Sequence, residues 1–403
     1  MRLLICAGFP VLAPSAGKNR LERMRSALAI HGMEAILVGE GSSPSEPWHY
    51  ESTANGPCIG YNPHRVPVFG RCRAMRIGAQ AAHFYRDYLT ELIKTYACRG
   101  VIDFACQAQV SRSILDAARS VGAFVVGDIV ERFTLSWHNL LNGMNWQQSR
   151  LCRAVLPRMD GLIGISRGWC DWAERRGIPN VWIPSFAQDH GCVRTGPSAA
   201  DRPFTLAFIG HWESRELPRT IMQAILLCID RGVDVRMNVL GNVGRTIRER
   251  EAMCFFRKHP ALQEHIKFLG FVSDPERDRQ LAEADAFILL RPDNRETDML
   301  FPTRLPEYLL TGNPVILSMV GSFPYCFEHR KDVWFISREN RVEEVADALL
   351  FLARNPQERW RIGQRGRQTA LKDFSLEVLG QRLAGFVRSV ADKHSLDKLF
   401  SPP

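Results

Sequence analysis

Short apolar runs alternate with helical patterns along almost the whole chain, and the alternation restarts once. Candidate strands are Leu3–Ala7, Ala35–Val38, Val101–Ala105, Ala123–Val126, Leu162–Ile165, Phe204–Ile209, Val235–Leu240, Ile266–Leu269, Ala286–Leu290, Val315–Leu317 and Val333–Ile336. Helical stretches such as Arg20–Ile30, Ser111–Val121, Pro218–Asp230 and Val342–Arg354 lie between them. Alternation of this kind builds right-handed βαβ units and parallel sheets. The pattern breaks from Gln188 to Pro203, a polar stretch of small residues that reads as an interdomain linker. Phe204–Gly210 then restarts it like a second first strand. A chain of 403 residues exceeds one ordinary core. The expectation is an α/β protein of two doubly wound domains, 1–190 and 203–374, with a cleft between them, followed by a C-terminal helix and tail, 375–403.

The segment Phe301 to Pro314 carries the sharpest local signal. It follows a buried-looking strand and reads as a short helix closed by Gly312, with Pro314 leading into the next apolar run. Thr303 is expected at the N-cap, where its hydroxyl takes an orphan backbone N–H. Pro306 is tolerable because it falls in the first turn. A helix that starts just after a strand aims free N–H groups at the sheet's carboxyl edge, where a diphosphate binds. Glu307, one turn in, is a good acceptor for ribose hydroxyls.

Net charge is +9 with a pI near 9.1. That is compatible with nucleic acid, an anionic membrane face or acidic ligands and selects none of them. No nucleic-acid motif appears, so nucleic acid is not an expected partner. No run of about 18 apolar residues exists to span a membrane, and the N-terminus reads as a first strand rather than a signal peptide. The eleven cysteines form no Cys-x-x-Cys pair, and many sit in apolar surroundings, as reduced cysteines of a cytoplasmic protein do. The histidines, His31 and His83 among them, show no metal spacing. No metal site is expected.

Other motifs leave alternatives open. Gly17 lies in a strand-to-helix turn that lacks the Walker spacing; it is either a phosphate-approaching glycine or a plain turn glycine. Arg215 and Arg219 precede or begin a helix, where cations are unfavourable unless an anion sits there. Asp128 and Glu131 follow a strand of the first half, so their carboxylates are expected at a sheet's carboxyl end, with Glu131 a base or acceptor ligand or simply a salt-bridged acid. From Pro44 to Arg76 an irregular loop mixes Trp48, His49, Tyr50, Tyr61, His64, Arg65, Phe69, Arg71, Arg73 and Arg76. It suits a sugar acceptor or anionic headgroups, or is a solvated loop. Gly164, Ser166 and Gly168 match a nucleophile elbow, with a helix-capping serine the stronger reading.

Together these features resemble the GT-B glycosyltransferases, and among them the large retaining family 4, over nearly the whole chain. Phe301 to Val315 looks like that family's phosphate- and ribose-binding helix, Ile266 to Val272 like the strand-loop whose backbone touches the base, and Met159 to Ser166 with Val181 to Pro184 like the end of the first domain. Asn355 to Ser375 is similar to its C-terminal helices, and the last helix, Leu376–Lys393, is expected to return to the first domain. The resemblance implies two Rossmann-like domains and transfer of a sugar from a nucleotide diphosphate to a glycan or lipid-linked acceptor, with retention, by a hexosyltransferase-type enzyme of polysaccharide biosynthesis. It implies Pro302, Thr303 and Arg304 at the diphosphate, Glu307 at the ribose, Gly270 and Phe271 at the base, and Gly17 facing the donor phosphate. Arg215 or Arg219 would offset leaving-group charge, and Glu131 would serve the acceptor side. No cofactor or obligatory metal is implied, and contact with the inner face of a membrane is compatible with the basic loop. Many members carry a glutamate where Met299 stands; a sub-branch with a Phe-Pro-Ser/Thr-Lys/Arg pattern lacks it, and this chain is closest to that branch. The alternatives are a nucleotide-sugar epimerase of the same fold and a degenerate, non-catalytic nucleotide-sugar-binding protein.

Overall fold

The structure, a computed structural model, describes residues 1–11, 15–41, 48–53, 56–61, 73–105, 107–131, 144–188, 191, 193–197, 202–210, 215–241 and 247–400. The chain divides into two compact units. Unit 1 is Met1–Phe186 with Met299–Phe301 and Leu376–Pro403; unit 2 is Ala187–Asp298 with Pro302–Ser375.

Among the described residues, unit 1 is built on an eight-stranded sheet. Its strands are β1 (Arg2–Pro10), β2 (Glu34–Glu40), β3 (Trp48–Thr53), β4 (Gly56–Tyr61), β5 (Gly100–Phe104), β6 (Phe124–Ile129), β7 (Gly161–Gly164) and β8 (Asn180–Trp182), in the order β3-β4-β2-β1-β5-β6-β7-β8. All neighbours pair in parallel except β3 with β4. Leu3 to Ala7 are fully buried, the continuous apolar run of a central strand covered on both faces.

The segment from Pro44 to Arg76, expected to be irregular, carries β3, β4 and the start of helix Arg73–Thr95. β3 is a half-exposed polar edge strand, and β4 contains two glycines and a proline, so neither shows the apolar alternation that marks a strand. His64, Arg65, Phe69 and Arg71 lie outside the described residues, as do the side chains of Arg73 and Arg76.

Helix Leu376–Phe400 belongs to unit 1 and lies along helix Ala16–Ile30. A Cβ at Gly380 would come within 2.7 Å of the Ala27 carbonyl, so this glycine permits the close approach. His31 bridges the two helices, its Nε2 2.9 Å from the Glu377 carbonyl and its own carbonyl accepting from Arg388 at 2.6 Å.

Unit 2 holds a wholly parallel sheet of β9 (Phe204–Ile209), β10 (Val235–Leu240), β11 (Ile266–Gly270), β12 (Ala286–Leu289), β13 (Val315–Ser318) and β14 (Trp334–Ile336), ordered β11-β10-β9-β12-β13-β14. The polar stretch read as a linker is partly tied to this unit: Ala187 N–H donates to Phe374 at 2.7 Å, and Arg194 N–H to Thr311 at 2.8 Å. The strand order reverses between β1 and β5 in unit 1 and between β9 and β12 in unit 2. Open α/β sheets bind ligands outside the strand carboxyl ends at such switch points.

Candidate functional site

β9 and β12 pair at Leu206 with Ala286 and at Ala207 with Phe287. Two residues on, Ile209 finds its partners in side chains. Its N–H donates to the Tyr308 hydroxyl at 2.7 Å, and its carbonyl accepts from Arg304 Nη1 at 2.6 Å. Both come from the segment that leads into and forms helix Leu305–Leu310. The Tyr308 ring stacks on Phe287 of β12, with centroids 4.2 Å apart and planes 10° from parallel. Burial pushes the Tyr308 phenol above its ordinary range.

Arg304 is also held from the other side. Its Nη2 donates to Glu216 Oε1, and its guanidinium lies 4.5 Å over the Phe208 ring. The same oxygen takes Arg291 Nη2 at 3.4 Å. Arg291 directly follows Leu290 and is 6% exposed; its N–H donates to Ser318 Oγ at 2.8 Å, and its carbonyl accepts from Asn340 Nδ2 at 3.0 Å. Burial lowers the Arg291 pKa, and Glu216 opposes that shift. Two guanidiniums thus share one carboxylate, so among the described residues this trio carries a net positive charge. Among the described residues, Glu216 Oε2, Arg291 Nε and Arg304 Nε are buried without hydrogen-bond partners.

The strand ends beside this cluster finish in glycine. Gly210, Gly241 and Gly270 have φ of 125°, 128° and 66°. A Cβ at Gly210 would collide with Arg304 Nη1, and one at Gly241 with the Gly210 carbonyl. Beyond Gly270 the Phe271 ring is 74% exposed. Burial works to lower the Arg277 guanidinium, but Asp278, Asp274 and, last, half-buried Glu307 outweigh it and hold it above its ordinary value.

Several expectations change here. Thr303 does not cap the helix: the N-cap is Arg304, and exposed Thr303 sits in a turn closed by Leu305 N–H to the Pro302 carbonyl at 3.3 Å. Pro302 is buried, Pro306 falls in the first turn, and Gly312 follows the helix with φ of 77°. The cations near helix Pro218–Asp230 do not wait on an external anion. Arg215 donates to Glu296 at 3.1 Å, and exposed Arg219 lies 5.2 Å over the Phe255 ring. Met299 is buried at 5% exposure.

In unit 1, Gly17 is not in a loop but in the first turn of helix Ala16–Ile30, whose N-cap Ser15 accepts from Lys18 N–H at 3.0 Å. A Cβ at Gly17 would lie 2.8 Å from the Phe9 ring, which accounts for the glycine by packing. Asp128 is not free beyond the strand: it lies within β6, fully buried, bound by Arg20 at 2.7 and 2.9 Å. Half-buried Glu131 follows β6, its carbonyl accepting from Gln148 at 3.0 Å. Ser166 occupies the N-cap position of helix Arg167–Glu174 but its hydroxyl makes no capping bond there, and it is fully buried, so the nucleophile-elbow reading fails for lack of access. Asp103, on the β5 strand beside β6, is also fully buried; burial pushes its carboxyl up to about 7, Asp128 adds to the shift and Ser111 offsets part of it.

Glu216, Arg291 and Arg277 were not legible as site residues. Arg291 at the end of an apolar strand was the available signal; Glu216 reads in sequence as one more charge before a helix.

Residues 203–355 match the profile of the family Glycosyl transferases group 1. This stretch is a group 1 glycosyltransferase domain. The amylovoran biosynthesis glycosyltransferase AmsK of Erwinia amylovora is 27% identical over 131 residues, 32% of this chain, and the match spans about a third of that relative's length, 32%. Sucrose-phosphate synthase from Thermosynechococcus elongatus superposes with a TM-score of 0.71 at 12% identity, over 97% of this chain and 99% of that one. HepE of Anabaena, solved in complex with UDP and glucose, gives 0.66 at 14% identity, over 96% and 100%. The fold of the chain is GT-B.

Proposed function

We propose that this chain transfers a sugar from a nucleoside diphosphate to a saccharide or lipid-linked acceptor, with retention of anomeric configuration, in polysaccharide assembly. The observation that carries this reading is the buried Arg291–Glu216–Arg304 cluster, net positive, at the switch point of the unit that matches the family. The bond from the sugar's anomeric carbon to the diphosphate breaks, and a bond to an acceptor oxygen forms. The nucleoside diphosphate departs, and the acceptor proton passes to a base, for which Glu131 of unit 1 is our choice. Arg304, Arg291 and the backbone N–H groups at Thr303 stabilise the departing charge. Glu307 holds the ribose, and Gly270 with Phe271 receives the base. Arg215 or Arg219 adds to this charge stabilisation; Arg215 is held on Glu296, and Arg219 lies over an aromatic ring. This reading places neutralisation on arginines and N–H groups with no obligatory metal. HepE, which binds UDP-glucose, makes a UDP-sugar the first donor to try, and AmsK makes an exopolysaccharide intermediate the first acceptor. No helix among the described residues is long and apolar enough to cross a membrane. A lipid-linked acceptor would be met by peripheral contact at the cytoplasmic face.

The test is a thermal-shift panel with UDP, GDP, ADP and CMP, with and without magnesium. A ligand at 100 times its dissociation constant adds about 2.7 kcal/mol, which raises the melting temperature by a few degrees. One nucleoside diphosphate should stabilise selectively without metal, and Glu307→Ala should abolish the shift. No shift at millimolar ligand would defeat the reading.

A further inference from the structure

We propose that Glu216 is the internal counterion of the diphosphate site: a positioning residue that holds Arg304 and Arg291 together and limits how tightly the site grips a diphosphate. This deepens the reading above and rests on it. The carboxylate is within 2% of complete burial, yet it serves neither arginine with two oxygens. Oε1 is shared by Arg304 and Arg291, while Oε2 has no hydrogen-bond partner among the described residues. A paired arginine and carboxylate gain most when two parallel N–H groups meet two oxygens. Here neither guanidinium reaches that state, and each keeps a buried Nε–H without an acceptor. The cluster is held but under-satisfied, and in a low-dielectric site such groups interact strongly with an added charge.

Arg304 is the member that faces outward, with 19% of its side chain exposed against 7% for Arg291. Its Nη1 is fixed on the Ile209 carbonyl and its Nη2 on Glu216, so the guanidinium plane is set before any ligand arrives. A diphosphate meeting that guanidinium also meets the field of Glu216 through it. The carboxylate therefore stabilises the empty site and opposes the anion, a balance that lets a product diphosphate leave.

The test compares wild type with Glu216→Gln, which keeps the shape and removes the charge. The probe is inorganic pyrophosphate, with UDP, GDP and ADP alongside, by calorimetry. The expected result is a variant that melts several degrees lower when empty and yet binds pyrophosphate about tenfold tighter. A carboxylate with a merely structural role would not give tighter binding in a less stable protein. Weaker or unchanged pyrophosphate binding in folded Glu216→Gln overturns the proposal. If that variant does not fold, Arg291→Gln replaces it: the cluster becomes neutral, and pyrophosphate affinity should fall at least tenfold; unchanged affinity overturns the proposal. A wild type that binds pyrophosphate but none of the nucleoside diphosphates defeats the donor reading while leaving the counterion comparison intact. A wild type that binds neither overturns both.

Discussion

Arg304 donates from Nη1 to the carbonyl of Ile209 at 2.6 Å, in the place a neighbouring strand would fill had β9 and β12 stayed together. Tyr308, one helical turn on, accepts from the N–H of the same residue. The helix after β12 therefore completes the hydrogen bonding of β9, and the cation at its start is part of the sheet's closure. Buried backbone groups must be paired, so the switch point holds Arg304 in place whether or not a ligand is bound.

Tyr308→Phe keeps the ring stack on Phe287 and leaves the Ile209 N–H without its acceptor. The expected loss is about 1–3 kcal/mol, the cost of one unsatisfied buried donor, read as a lower urea midpoint at an unchanged slope.

Arg304→Met removes the partner of the Ile209 carbonyl and one of the two cations on Glu216. Breaking a buried pair costs about 3–5 kcal/mol, and the remaining Arg291 should keep this one near the lower end. Chemical denaturation reads the stability, and the thermal shift by nucleoside diphosphate should vanish in the same variant.

Gly210→Ala separates conformational strain from the arginine. Gly210 has φ of 125°, and its added Cβ would strike Arg304; Gly232 has φ of 72° with nothing within 4 Å. Both alanine variants suffer backbone strain of about 1–3 kcal/mol. Only Gly210→Ala should also lose the nucleotide-induced shift, because only there must Arg304 move.

Asp103 makes stability depend on pH. Its carboxyl is pushed up to about 7 from an ordinary 3.8, so in that window the folded state binds a proton that the unfolded state has released. Stability from this group is full below about pH 4, falls by up to about 1.4 kcal/mol per pH unit as pH rises toward 7, and is flat above. Asp103→Asn removes the slope. Its advantage over wild type should grow from pH 4 to pH 7 in parallel melts and then stay constant; an advantage that shrinks with rising pH would contradict the assignment.

The apolar runs located the central strands to within a few residues, and β9 and β10 run over the stretches Phe204–Ile209 and Val235–Leu240 read from the pattern. The edge hairpin of β3 and β4 escaped because an exposed edge needs no apolar face. Glycines and prolines around Phe301 to Pro314 announced a short helix, yet its start lay two residues beyond Thr303, since the turn from Pro302 to Leu305 comes first. Arg215 and Arg219 were legible as cations near a helix start. That Glu296 and Phe255 would meet them was not, because those partners lie 81 and 36 positions away in sequence (296 − 215 and 255 − 219).

Local pattern alone determined the alternation of strand and helix, the restart at Phe204 and the helix closed by Gly312, because apolar period, caps and turn residues act over a few positions of chain. Only the tertiary structure decided which charges are spent inside the protein. Glu216 meets Arg304 and Arg291 across 88 and 75 residues, and Arg20 meets Asp128 across 108. A charge's worth depends on burial and on what lies opposite it, and both exist only once the sheets have formed.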